Sequence, residues 1–397
     1  MKMVHKILVY SHSFAPVIGG AESYAMLLAQ GLTRLSSSLP ENRLVVTVAT
    51  PTPAGNFDDS GLTFEVVREP NFVTLTKLVL EADVIHLCGA CFKPLLLGWL
   101  FQKPVVIEHH GYTACCPNGL LLYEPTQSVC AGHFMAGRYR ECLKCNSSTE
   151  GRLRSFRVLL SSFPRRWLSK RAAANVPITR HVLKRISLPN STVIYYGVPD
   201  SGLASCAPTL DRPSLNSPCF AYVGRLVPLK GLPILLKATR LLKDKGYHFR
   251  LKLLGDGPER ESLGALVTDL KLGGVVEFTG FSQGEQFSKE LDEVSVVVMP
   301  SIWEETAGLA AIEQMMRGRL VIASDIGGLA EVVGDAGLKC PPGDPVALAN
   351  CMKRVLDNPE IAVQMGRSAR ARALSEFGEE RMAKDHAELF LKIIRSR

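Results

Sequence analysis

The sequence predicts an α/β protein of two domains, each built on a parallel sheet, and three observations carry that reading. Short β-rich apolar runs alternate with helical stretches along both halves, the pattern of parallel strands covered by helices on both faces. The chain has 397 residues, about two to three times a typical domain and long enough for two sizeable cores. The segments richest in chemistry directly follow strands, at the carboxyl edge where such sheets bind ligands. Residues 1–200 form the expected first domain, 201–218 a Pro- and Ser-rich linker, 219–375 the second domain, and 376–397 an amphipathic terminal helix. A composition of 46% hydrophobic and 21% charged residues suits a globular soluble protein.

In the first domain HKILVY, RLVVTVAT, DVIHLCG and PVVIEHH read as strands. The first leads into Gly19-Gly20 and then a helix carrying Ala25, Leu28 and Leu32. Paired glycines let a backbone approach a phosphate or a sugar closely, so both are candidate ligand contacts. The pattern is not G-x-G-x-x-G, which gives no support to a nicotinamide or flavin cofactor. The fourth strand ends in His109-His110. Residues 151–199 hold ten Lys and Arg and no Asp or Glu, and with a net charge of +8 the remaining sequence nets −2. Within that basic segment Leu153, Phe156, Leu160, Phe163 and Trp167 recur at near-heptad spacing among arginines, and Pro164 is expected to interrupt the helix. Such a stretch suits an anionic membrane surface or an anionic acceptor. A domain-packing helix with a solvated basic rim is the competing reading. Nucleic acid is not an expected partner, because nothing resembles a docking module or an aromatic stacking platform.

In the second domain CFAYVG, FRLKLLG, VVEFTG, VSVVVMP and LVIASDIG read as strands. The strand ending at Val223 delivers Arg225 to a turn, and Lys230 follows at the entry to a helix. The richest stretch is PSIWEETAGLAAIEQMMRG, residues 300–318. It follows a continuous apolar strand of the kind buried on both faces. Glu305 falls in the loop, and a helix is expected over Gly308–Met316 with Leu309, Ile312 and Met316 on one stripe. Glu313 then lies roughly one and a half turns into that helix, so one carboxylate can reach a ligand's reacting end and the other its far end. Free amides at Ala307, Gly308 and Leu309 would suit an anionic group between them.

The E-x7-E spacing of Glu305 and Glu313, the Arg225/Lys230 pair, the Gly19-Gly20 loop and PVVIEHHGYTACCPNG at 104–119 together resemble the signature of the retaining family 4 glycosyltransferases, of the glycosyltransferase group 1 type. That family has the GT-B fold, two facing Rossmann-like parallel-sheet domains with an interdomain cleft. Similar loops at 253–263, 275–281 and 324–333 extend the resemblance over most of residues 5–375. It implies transfer of a sugar from a UDP- or GDP-sugar to an acceptor hydroxyl with retention at the anomeric carbon. No cofactor is implied, and the acceptor is a glycan, a lipid-linked glycan or a small molecule. By the resemblance Glu305 orients the donor sugar near its reacting centre, and Glu313 holds the ribose hydroxyls. Arg225, Lys230 and the amides of Ala307, Gly308 and Leu309 stabilise the departing diphosphate, whose charge grows in the transition state. Phe281 contacts the base, Gly19 and Gly20 approach the donor, and His110 touches the donor sugar or the acceptor side, with Gly111 in place of the usual Asp. Ala307 replaces a frequent aromatic, and Tyr196-Gly197-Val198 replaces a common Asn-Gly-Val. In the family a terminal helix crosses back onto the first domain. The competing readings are a sugar-nucleotide epimerase of the same fold, active on its donor with no acceptor present, and a non-catalytic membrane-attached scaffold paralogue that binds no donor.

Eleven scattered cysteines imply no disulfide framework. Cys116, Cys130, Cys142 and Cys145 could close a four-thiolate zinc site, only the last two at C-x2-C spacing; reduced thiols are the favoured expectation and no metal ligand is assigned. A catalytic metal is not expected, since no D-x-D occurs and the paired bases would make a cation redundant. The apolar runs fall short of the ~18 residues of a membrane span. The start, MKMVHKILVYS, passes straight into a strand with no small-residue cleavage site. A cytoplasmic protein is therefore expected, with attachment to the inner face of the membrane as an option.

Overall fold

A computed structural model describes residues 3–17, 20–38, 41–200 and 218–396. Gly19 and, apart from Pro218, the expected linker over 201–218 lie outside the described residues. The chain divides into two compact units, Met1–Pro199 with Phe377–Arg397, and Asp200–Glu376.

The first unit runs β1 (Met3–Ser11), α1 (Gly20–Ser38), β2 (Asn42–Thr50), β3 (Glu65–Arg68), α2 (Phe72–Glu81), β4 (Val84–Cys88), α3 (Phe92–Leu100), β5 (Val105–His109), β6 (Leu122–Tyr123), β7 (Ser128–Val129), α4 (Tyr139–Glu150), α5 (Arg152–Ser169), β8 (Ala174–Pro177) and α6 (Arg180–Ile186). Six strands form a parallel sheet in the order β3-β2-β1-β4-β5-β8, and β6 pairs with β7 as a separate antiparallel ribbon. All residues of β4 and β5 are buried, as expected of central strands covered on both faces. Ala25, Leu28 and Leu32 of α1 are fully buried, so the stripe read from the sequence is its packing face.

The second unit runs β9 (Cys219–Val223), α7 (Leu232–Asp244), β10 (Arg250–Leu254), α8 (Arg260–Asp269), β11 (Val276–Gly280), α9 (Gly284–Asp292), β12 (Val296–Met299), α10 (Leu309–Met316), β13 (Leu320–Ser324), α11 (Gly327–Val333), β14 (Leu338–Cys340), α12 (Pro345–Asp357) and α13 (Glu360–Glu376). Its parallel sheet has the order β11-β10-β9-β12-β13-β14. Both sheets thus reverse direction beside their first strand, between β1 and β4 and between β9 and β12. A crevice opens outside the strand ends at such a switch point.

The last helix, α14 (Glu379–Arg395), belongs to the first unit. Val198 N donates to Phe377 O at 2.8 Å, and Gly197 N lies 3.1 Å from Met382 Sδ. A Cβ on Gly197 would stand 2.6 Å from Glu379 Cα, so the close crossing of 197 and α14 needs glycine.

Three details depart from the sequence reading. Strands β3, β8 and β14 were not expected; they are short, and all three are sheet edges. Pro164 does not interrupt α5, which runs through it from Arg152 to Ser169. The carbonyl Pro164 leaves without a donor is that of Leu160, a residue on the exposed side where water can serve instead. Helix α10 begins at Leu309, because Gly308 takes a left-handed φ of 82° and caps it. Among the described residues no helix is long and apolar enough to cross a membrane.

Candidate functional site

The loops after β9 and β12 interlock at the switch point of the second unit. Ile302 N donates to Leu229 O at 3.0 Å. Gly231 passes so close beneath the second loop that a Cβ there would stand 2.1 Å from Pro300 O. This packing brings Lys230 Nζ to 2.8 Å from Glu305 Oε2, with the Glu305 side chain only 5% exposed. Ser301 Oγ donates to the other carboxylate oxygen. The Glu305 carbonyl accepts from Gly328 N at 2.6 Å, and a Cβ on Gly327 (φ 65°) would meet that same carbonyl oxygen at 2.7 Å. Glu305 is therefore clamped by backbone, hydroxyl and ammonium together.

Beyond Glu305 the chain turns into α10. Among the described residues the amides of Ala307, Gly308 and Leu309 donate to no protein acceptor, whereas those of Ala311 and Ile312 turn back to Gly308 O. Three free donors at the start of a helix form a ready cradle for an anion. Ala307 is buried, so its small side chain fills no ligand space. Glu313 is half-buried on α10, and burial raises its carboxyl pKa against the opposing pull of Arg317.

Arg225 stands exposed in the first loop, directly after Gly224. Tyr222 Oη donates to Arg225 O at 2.7 Å and fixes that turn. Burial, and then the charge of Glu305, push the Tyr222 phenol pKa up, so it stays a neutral donor. The glycines of LLGDGPERESL do more than end a strand. A Cβ at Gly255 would lie 1.9 Å from Gly224 O, and one at Gly257 would lie 2.4 Å from Leu226 O. Phe281 follows edge strand β11 and is 65% exposed, leaving its ring available for stacking.

The first unit has its own polar cluster at the end of β5. His110 Nδ1 is 2.6 Å from Tyr196 Oη, the two rings stack, and Tyr24 meets His110 edge-on at 4.6 Å. Among the described residues the buried Nε2 of His110 has no protein partner. Burial lowers the His110 pKa to about 3, which keeps the imidazole neutral. His109 turns the other way and bonds Asn175 Oδ1 at 2.9 Å. Behind them His386 Nε2 of α14 lies 3.1 Å from Glu108 Oε2 and 3.0 Å from Tyr24 Oη. Gly20 opens α1, the helix that carries Tyr24.

Within the second unit the structure therefore joins Lys230 directly to Glu305, with the three amides one turn further on, Arg225 in the Lys230 loop and Phe281 at the sheet edge. Sequence reasoning missed Ser301, Tyr222, Tyr24, Glu108, Tyr196 and His386. Ser301 carried a signal, a hydroxyl placed just after an all-apolar strand. Tyr196 carried another, as an aromatic in a Tyr-Gly-Val where Asn-Gly-Val is common.

Known structures share this architecture. Over 98% of this chain and 100% of theirs, the Anabaena protein Alr3699/HepE in complex with UDP superposes with a TM-score of 0.70 at 19% identity. An AviGT4 glycosyltransferase involved in avilamycin A biosynthesis superposes with a TM-score of 0.62 at 16% identity, covering 99% of both chains. The fold is that of the GT-B glycosyltransferases. More particularly, residues 212–372 match the family model of the glycosyl transferases group 1. A 2-deoxystreptamine glucosyltransferase of Streptomyces kanamyceticus is 34% identical over 168 residues, 42% of this chain and 43% of its own length. The amylovoran biosynthesis glycosyltransferase AmsK of Erwinia amylovora is 25% identical over 74% of this chain and 71% of its own. The chain spans less than half the length of the first three curated relatives it matches.

Proposed function

We propose that this protein is a glycosyltransferase that moves a sugar from a nucleoside-diphosphate sugar to an acceptor hydroxyl with retention of configuration and without a catalytic metal. The observation that carries the reading is the Lys230–Glu305 pair beside the free amides of Ala307, Gly308 and Leu309. A diphosphate set on those amides, with Arg225 and Lys230 beside it, meets positive charge where its own negative charge grows as the sugar departs. Glu305 then orients the sugar, Glu313 binds the ribose hydroxyls and Phe281 stacks on the base. Attack comes from the face the diphosphate leaves, and the leaving phosphate accepts the acceptor's proton. The ligands of the Alr3699/HepE complexes, UDP with glucose and UDP-glucose, support a donor of this class. His110, neutral and with Nε2 unpartnered, is assigned to a sugar hydroxyl.

The second part of the proposal is attachment to an anionic membrane face, with a glycan or lipid-linked acceptor. Helix α5 is amphipathic the wrong way round. It buries Ser155, Ser162 and Ser169 beside Leu159 and Leu168, while Leu153, Phe156, Leu160, Phe163 and Trp167 are 41–66% exposed. Arg152, Arg154, Arg157 and Lys170 are exposed beside them. Trp99 of α3 meets Trp167 edge-on at 5.3 Å and continues the apolar face. An apolar stripe rimmed by cations on a segment without acids matches the chemistry of an anionic lipid interface.

The test is thermal stabilisation by UDP, GDP and ADP in chelator, followed by turnover of the selected donor and NMR assignment of the product anomer. One diphosphate is expected to raise the melting temperature. Glu305→Gln is expected to keep that shift and lose turnover by about 100-fold or more. Donor conversion without acceptor identifies an epimerase, and no response to any diphosphate identifies a scaffold; either overturns the reading.

A further inference from the structure

Between β5 and α5 the chain makes a small lobe that the sugar-transfer site does not use. Its regular structure includes the two-residue strands β6 and β7 and helix α4, and a small apolar cluster there joins Phe134, Cys142 and Leu159, with Leu143 against them. A two-stranded ribbon of this size is marginal in water, and lobes without a core of their own are commonly held by a metal or a cross-link. Four cysteines meet there. Cys116 lies in the turn after β5, Cys130 follows β7, and Cys142 and Cys145 lie near the start of α4. All four are 5–6% exposed and line one cavity of about 10 Å³, room for a single water- or ion-sized body.

We propose that Cys116, Cys130, Cys142 and Cys145 hold one structural Zn²⁺ as thiolates. Two of the sulfurs have polar partners, Cys116 Sγ donating to Asn118 Oδ1 at 2.9 Å and Cys145 Sγ to Leu122 O at 3.3 Å. Cys145 Sγ accepts from Asn118 Nδ2 at 3.3 Å and from Glu124 N at 3.4 Å. Donors aimed at sulfur favour the thiolate. A divalent ion would be held by four thiolates as four protons leave to solvent, with no change of oxidation state.

The four sulfurs stand wider apart than bound ligands do. Among the described residues the group of three ligand atoms within 4.8 Å of one another is His86, Glu108 and His386, and it includes none of these cysteines. At Zn–S distances of about 2.3 Å, tetrahedral sulfurs stand roughly 3.8 Å apart. The sulfurs already line one cavity, so binding would pull them inward and bring α4 onto the ribbon. His133, at C-x2-H spacing from Cys130, has a buried Nδ1 with no protein partner among the described residues and lines the same cavity. It is the residue to test as a rival ligand.

The experiment is metal content of the full chain, purified in reductant without chelator and supplemented with ZnCl₂ before desalting. About one zinc per chain is expected. Cys116→Ser and Cys142→Ser are each expected to cut retained zinc at least tenfold, whereas His133→Ala and Cys351→Ser retain it. Because a ligand variant can fail to fold, the unmutated chain is also loaded with Co²⁺. A thiolate-to-cobalt charge-transfer band with intense tetrahedral d–d bands is expected. Zinc below one-tenth equivalent in the unmutated chain, or loaded cobalt without that band, overturns the proposal. So does zinc that survives Cys116→Ser but not His133→Ala.

Discussion

Lys230 Nζ and Glu305 Oε2 stand 2.8 Å apart with the carboxylate almost fully buried, so in the ligand-free protein each neutralises the other. Removing the ammonium leaves a buried charge without its partner, whereas removing both charges does not. Lys230→Ala is therefore expected to cost about 1–3 kcal/mol of stability and to lower kcat by about 100- to 1000-fold. The double variant Lys230→Ala/Glu305→Gln is expected to recover most of the stability and none of the turnover. Urea unfolding and steady-state kinetics on the three proteins check this, and an unstable double variant would contradict it.

Gly327→Ala probes the clamp from the backbone side. The new methyl would meet Glu305 O at 2.7 Å on a residue held at φ 65°. The φ penalty alone is about 1 kcal/mol. We expect a lower Tm and a fall in kcat of about tenfold or more, since Glu305 must shift. Gly343→Ala has a comparable φ of 77° but open space around it, and is expected to lower Tm without lowering kcat.

The histidines of the first sheet make stability depend on acid. Burial holds His109 down to about 4 and His86 well below the usual imidazole range. Both lie under the unfolded value of about 6.5, so below that pH the unfolded chain binds protons the folded chain refuses. This contribution is present above pH ~6.5 and is lost as the pH falls toward 4, at up to about 1.4 kcal/mol per pH unit for each ring. Glu108, raised by burial, has the opposite sign and offsets part of the slope at its acid end. Denaturant unfolding at pH 7, 6 and 5 is expected to show falling stability, with a shallower slope in His109→Gln. A flat profile would be inconsistent with neutral buried rings.

The α5 face is tested with vesicles. Cosedimentation with vesicles containing phosphatidylserine or phosphatidylglycerol is expected, with little binding to pure phosphatidylcholine and a marked loss in high salt. Leu153→Glu/Leu160→Glu removes two exposed apolar groups without touching the buried face. It should weaken binding by about tenfold or more while donor turnover in solution stays unchanged. Equal binding of both lipid types, or none, would remove the membrane assignment.

Much of this architecture was legible because central parallel strands are continuous β-branched runs; β4, β5, β9, β12 and β13 are wholly buried and read directly. Strands β3, β8 and β14 were not legible, being three or four residues long with polar or Pro positions that carry no period. The spacing along α5 was visible, but its orientation was not. Periodicity locates a stripe without saying which side faces the protein, and here serines face in. Glu305, Glu313, Arg225 and Lys230 were recognisable as a set, whereas the Lys230–Glu305 contact is made by interlocking loops. The hydrogen bond between His110 and Tyr196 likewise joins residues 86 positions apart, and only folding reveals such a pair.

The placement of the three tryptophans has a practical consequence. Trp99 and Trp167 touch on the exposed apolar face, while Trp303 lies two residues before Glu305 in the candidate donor loop. The native chain therefore carries its own optical reporters at both places. Trp303→Phe leaves an emission that brominated acyl chains would quench, and Trp99→Phe/Trp167→Phe leaves one that a nucleotide would perturb. Lipid contact and donor contact can then be followed separately, in real time and without a label.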